Sequence, residues 1–92
     1  MTTRPSEQES PEIDVLVQEP AKVILFNDDV HTFEEVIAQL IKALKCTESK
    51  AEGIAWEAHS NGKAIAFLGE LIRCMEISAV LEEIRLMTQI EV

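Results

Sequence analysis

Phe33, Val36, Ile37, Leu40, Ile41 and Leu44 stand at spacings i, i+3, i+4, i+7, i+8 and i+11. Only an α-helix gathers that set onto one stripe, so 33–44 is read as an amphipathic helix that needs a core to lie against. Thr32 precedes the stripe and Glu35 follows three places later, the pattern of a capping box. The rest of the chain must supply what covers this helix. Upstream, Lys22-Val23-Ile24-Leu25-Phe26 is a short branched and aromatic run stopped by Asn27-Asp28-Asp29, read as a strand and a turn. Downstream, Ser49 and Glu52 form a second capping-box pattern, opening a helix to about Ser60. Its inner face carries Ala51, Ile54, Ala55 and Ala58, and Asn61-Gly62 provides a left-handed stop. A strand is expected over 64–68, a third helix over 70–85 with Leu71, Cys74, Met75, Ile77, Val80, Leu81 and Ile84 apolar, and a last strand within 86–92. The predicted order is β-α-α-β-α-β. That makes an α/β (α+β) fold, a three-stranded antiparallel sheet packed by three helices.

The chain has 92 residues, enough for one domain. Residues 1–21 differ from the rest: they hold Pro5, Pro11 and Pro20, many polar residues and one apolar cluster, Val15-Leu16-Val17. They read as a flexible acidic N-terminal extension ahead of a core over 22–92. The net charge of −9 repels phosphate backbones and anionic membranes, so neither nucleic acid nor membrane is an expected partner. The opening residues hold a single base, Arg4, and no apolar run of the length an export signal needs. Cys46 and Cys74 lack metal-ligand spacing and read as two buried or half-buried thiols of a cytoplasmic chain.

Catalytic motifs are missing. The three glycines, Gly53, Gly62 and Gly69, stand alone, and there is no Cys-x-x-Cys, no His-Glu-x-x-His and no serine in a nucleophile-elbow context. A binding module, not an enzyme, is the expectation, with no cofactor and no metal. One polar cluster remains: Asn27, Asp28, Asp29 and His31 after the first strand, and His59 near the end of the second helix. An amide oxygen, a carboxylate and a neutral imidazole nitrogen are all acceptors. Together they suit an ammonium group, with an apolar hollow beside them for an attached side chain. Plainer roles compete. Asn-Asp-Asp is ordinary turn chemistry, His59 can serve as a helix-dipole partner, and Glu34 and Glu35 suit a solvated face. A metal site on Asp28, Asp29, His31 and His59 has no spacing signature. Trp56, the lone tryptophan, is expected to pack part-buried.

Two blocks carry a family resemblance: Lys22-Val23-Ile24-Leu25-Phe26-Asn27-Asp28-Asp29 with Thr32-Phe33-Glu34 and Val36, and His59-Ser60-Asn61-Gly62-Lys63-Ala64. In register, they resemble the ClpS adaptors. The resemblance implies a compact α/β domain behind an N-terminal extension. It also implies capture of proteins with a large hydrophobic first residue (N-degrons) and delivery to the N-terminal domain of a Clp AAA+ unfoldase, in the cytoplasm or a plastid stroma. Carried over by position, it assigns Asn27, Asp28 and His59 to the substrate's α-amino group. It assigns His31, Thr32, Phe33, Val36, Ala55, Ala58 and Leu86 to the side-chain pocket. Asp29 is given a structural role first. Ala55 departs from the family's usual methionine, which implies a wider pocket, and the third helix lacks the lysine expected there. Two rival readings stay open: a small metal-dependent hydrolase built on the Asp/His cluster, and an assembly module acting through the apolar third helix.

Overall fold

Val23 and Leu25 are almost wholly buried because their strand lies at the centre of the sheet. The computed structural model describes residues 20–92. It runs β1 (Ala21–Phe26), α1 (Phe33–Leu44), α2 (Glu48–Asn61), β2 (Lys63–Gly69), α3 (Leu71–Leu81), a 3-10 turn (Glu82–Ile84) and β3 (Thr88–Glu91), the order the sequence pattern predicts. The 1–21 extension falls outside the described residues up to position 19, and β1 takes in Ala21, paired with Gly69. The sheet order is β2-β1-β3, with both pairings antiparallel. Ala21, Val23 and Leu25 of β1 join Ala64 and Ala66 of β2 in the core. A register shift between Val23 and Ile24 turns Phe67 toward that core and leaves Ile65 and Leu68 exposed.

Helix α1 begins as its capping box requires. The Thr32 hydroxyl accepts from the Glu35 N–H at 3.1 Å, and the Glu35 carboxylate accepts from the Thr32 N–H at 2.8 Å. Leu40 and Ala43 are buried, while Val36, Ile37, Ile41 and Leu44 pack at the core's edge. Gln39 donates to the Val80 carbonyl at 2.6 Å and Lys42 pairs with Glu83 at 2.7 Å, so α1 is bonded to the end of α3. Burying a side chain the size of Leu25, Leu40, Ile77 or Leu81 contributes about 1.5–3 kcal/mol each.

Two boundaries differ from expectation. Helix α2 starts at Glu48, capped by Thr47, whose hydroxyl accepts from the Lys50 N–H at 3.1 Å; Ser49 and Glu52 lie inside the helix and form no box. The cause is the tight exit from α1: Lys45 is left-handed at φ 56°, so the chain turns at once and reaches a capping hydroxyl two residues sooner. Helix α3 stops at Leu81 instead of 85. There the backbone tightens into the 3-10 turn and Arg85 goes left-handed at φ 67°, which drops Leu86 into the core. Ala51, Ile54, Ala55 and Ala58 are all buried, as their spacing requires. Cys46 is half-buried and Cys74 buried, both free thiols, and burial pushes the Cys74 thiol up. Among the described residues no helix is long and apolar enough to cross a membrane.

Candidate functional site

Gly62 joins the two halves of the site. It ends α2 at φ 88°, a conformation that a side-chain-bearing residue adopts only with strain. Its carbonyl accepts from the Asn27 N–H at 3.0 Å. That bond locks the start of the β1–α1 loop to the turn after α2, three residues beyond His59. On the far side, Phe26 donates to the Met87 carbonyl at 3.0 Å. The loop is therefore pinned from both neighbours.

Between these elements lies a cavity of about 310 Å³. Asn27, Asp28, Asp29 and His59 line it together with Leu25, Phe26, His31, Phe33, Val36, Ala55, Ala58 and Leu86. Polar acceptors and an apolar hollow thus share one space. Of the ten residues singled out in the sequence, nine line this cavity. Thr32 does not, because its hydroxyl and N–H are both spent on the α1 cap. Leu25, Phe26 and Asp29 line it without having been assigned to it. The available signal was position alone: they flank Asn27 and Asp28 in the chain.

The side chains of Asn27, Asp29 and His59 have no hydrogen-bond partner among the described residues, whereas Asp28 is heavily used. Its Oδ1 accepts from the Val30 and His31 N–H groups, both at 3.0 Å, and its Oδ2 accepts from His31 Nδ1 at 2.7 Å. A carboxylate offers about four lone-pair positions, so one on Oδ2 remains open. His31 is held on its other side by the Ile84 carbonyl, which accepts from Nε2. Neither an ionised carboxylate nor a carbonyl donates, so this setting favours a hydrogen on both ring nitrogens. The Asp28 bond raises the His31 titration above its ordinary value, against the opposing effect of burial. Burial alone would raise Asp28, but the bonds from His31 and Val30 outweigh it and hold the carboxyl below its ordinary value. His31 also ties the loop to the 3-10 turn, 53 residues along the chain.

Trp56 corrects an expectation. It is 61% exposed, not part-buried, with its ring against Phe33 at 6.0 Å and His59 at 5.7 Å between centroids. Among the described residues, no three His, Cys, Asp or Glu side chains are grouped as metal ligands would be, so the Asp/His cluster offers no ready-made metal site.

The family model for "ATP-dependent Clp protease adaptor protein ClpS" matches residues 17–89, and both sequence blocks fall within that span. The chain belongs to the ClpS family. Beyond the family, E3 ubiquitin-protein ligase UBR2 of Homo sapiens and of Mus musculus are each 38% identical to it over 58 residues. That stretch is 63% of this chain but only 3% of those ligases. Among solved structures, Agrobacterium tumefaciens ClpS2 bound to L-phenylalaninamide matches with a TM-score of 0.74 at 23% identity, over 79% of this chain and 95% of that one. The family match and the structural match thus agree on the fold that runs from β1 to β3.

Proposed function

We propose that this ClpS-family chain captures proteins by a free α-amino group and a large hydrophobic first side chain, and hands them to a Clp AAA+ unfoldase for degradation. The observation that carries this reading is the single cavity in which Asn27, Asp28 and His59 stand beside Val36, Ala55, Ala58 and Leu86. Recognition proceeds without chemistry. The substrate ammonium donates to the open lone pair of Asp28 Oδ2, to the Asn27 side-chain oxygen and to a neutral His59 nitrogen. The first side chain goes into the hollow, where its burial contributes about 1.5–3 kcal/mol. The ligand of the A. tumefaciens structure, phenylalaninamide, has the two features this arrangement requires, a free amine and an aromatic side chain.

The decisive experiment is calorimetry with a Phe-initiated peptide beside its N-acetylated twin. Capture of the free amine and none of the acetylated peptide is expected; equal binding of both would end the reading. Ala55 sets the range of first residues. It is buried in the cavity wall, and a longer side chain there would occupy space that branched first residues need. Ala55→Met is therefore expected to weaken peptides beginning with Ile or Val more than those beginning with Phe or Leu, and an unchanged preference would remove Ala55 from the selectivity argument. Delivery is assigned to the N-terminal extension. Because Ala21 belongs to β1, the truncation that tests it starts the chain at Pro20. Such a chain should bind peptide as before and fail to promote degradation of an N-degron protein.

A further inference from the structure

Trp56 stands beside the cavity without lining it. Its ring packs against two side chains that do line it, edge-on to Phe33 and tilted 35° to His59, while Phe33 and His59 meet edge-on at 6.4 Å. The chain contains three Phe, one Trp and no Tyr, and two of these four gather at this one lip. A large aromatic surface left open to water next to a pocket is characteristic of a contact surface, since an indole pays its way only when covered.

We propose that the open face of Trp56, with Phe33 at its edge, is a second subsite that receives the side chain of the residue following the captured first one, and that it prefers a basic side chain. This rests on the capture reading above and extends it by one residue. A chain whose ammonium is bonded to His59 carries its second Cα only 3.8 Å beyond the first. The indole centre lies 5.7 Å from the His59 ring centre, within the span of an arginine or lysine side chain from that second position. An indole face attracts a cation held within about 6 Å of its centre. Several neighbouring carboxylates act in the same sense, and the cavity's His31 is already paired with Asp28. Glu52 precedes Trp56 by one turn on the same side of α2, Glu34 lies in the first turn of α1, and Asp29 lines the cavity. An acidic second residue would meet repulsion from these carboxylates and from the ring face.

The test uses the full chain and three peptides that begin with Phe, differ only at the second residue (Arg, Ala or Asp), and contain no tryptophan. Calorimetry reads every titration, the variants' included, and in the wild type the fluorescence of Trp56, the sole tryptophan, also reports contact at the ring. Measurements at about 0.5 M salt reduce the pull of the net negative charge and leave the contact with the ring. The Arg peptide should bind roughly two- to fivefold more tightly than the Ala peptide, with the Asp peptide weakest. Trp56→Leu keeps bulk against His59 but has no π face; it should make Arg and Ala equal while leaving the Ala peptide within about twofold of wild type. If it weakens the Ala peptide too, Trp56→Phe decides, since a smaller aromatic should keep part of the Arg preference. An Arg-to-Ala ratio unchanged in Trp56→Leu, or no Arg preference in the wild type, overturns the subsite. Failure of the capture reading looks different: the N-acetylated Ala peptide would then bind as well as the free amine.

Discussion

The cavity lip and the outer surface around α3 both expose apolar side chains, and they are built differently. Leu68, Leu71, Ile72 and Met75 form an exposed apolar run from β2 into α3. That run offers area but no directional groups. At the lip, Phe33 and Trp56 pack with the His59 ring, and the same cavity holds the Asp28 carboxylate, which three hydrogen bonds from the loop fix in place. The difference teaches which surfaces can be read chemically. Convergent acceptors specify a ligand's donors and charge, whereas apolar area specifies only that something could cover it.

The sharpest way to break the comparison is to remove the charge at the lip while keeping its framework. Asp28→Ala is too blunt, because it also strips acceptors from the Val30 and His31 N–H groups and from the His31 ring. Asp28→Asn retains an oxygen for the two loop N–H groups and loses the charge. Loss of a hydrogen bond to a bound ammonium costs about 1.5–3 kcal/mol, so peptide affinity should fall by roughly 10- to 150-fold in calorimetry, with the fold retained by circular dichroism. Affinity within twofold of wild type would mean that Asp28 only shapes the loop.

A smaller effect should appear in the pH dependence of stability. His31 titrates above its ordinary value of 6.5, so its contribution is fully present below that pH and is lost as pH climbs through the folded-state midpoint. Asp28 titrates below its ordinary value of 3.8, so its contribution is present above that pH and fades as pH falls through its own lowered midpoint. The pair therefore stabilises most between about 3.8 and 6.5. Thermal melts of wild type and His31→Asn should diverge most in that window and converge as pH rises above it. A gap independent of pH would mean that His31 acts by packing alone. Ring-nitrogen chemical shifts would show the imidazolium directly.

How much of this was visible in the sequence follows from the range of the forces involved. The stripe from Phe33 to Leu44 and the Thr32–Glu35 cap are local patterns, and both appear as expected. The start of α2 was misplaced because Ser49 and Thr47 are equally good capping residues. The choice between them was made by the left-handed turn at Lys45, which no local pattern announces. The end of α3 was missed for a related reason: Glu82, Glu83 and Ile84 suit a helix, and it is burial of Leu86 that ends it. At the site, the chemistry of Asn27, Asp28 and His59 was legible as a set of acceptors. The Asp28–His31–Ile84 chain was not, since it joins positions far apart in sequence through a carbonyl that carries no side-chain signature. The exposure of Trp56 was likewise a matter of which side of α2 faces the core, and Ala51, Ile54, Ala55 and Ala58 take that side.

The smallest expected effect is the most informative about the second region. Ile72 is 70% exposed on α3, and Ile72→Glu keeps a good helix former there. Exposed substitutions of this kind change stability by no more than about 0.5 kcal/mol. Nothing connects Ile72 to the cavity by a hydrogen bond among the described residues, so Phe-peptide affinity should stay within about twofold of wild type. If capture did fall, the two surfaces would be one coupled unit and the contrast between them would fail. If capture held while sedimentation showed a change in self-association, the apolar run would be an assembly surface that works independently of the cavity. The double variant of Ile72→Glu with Asp28→Asn then separates the cases, because independent regions give losses that add and coupled ones do not.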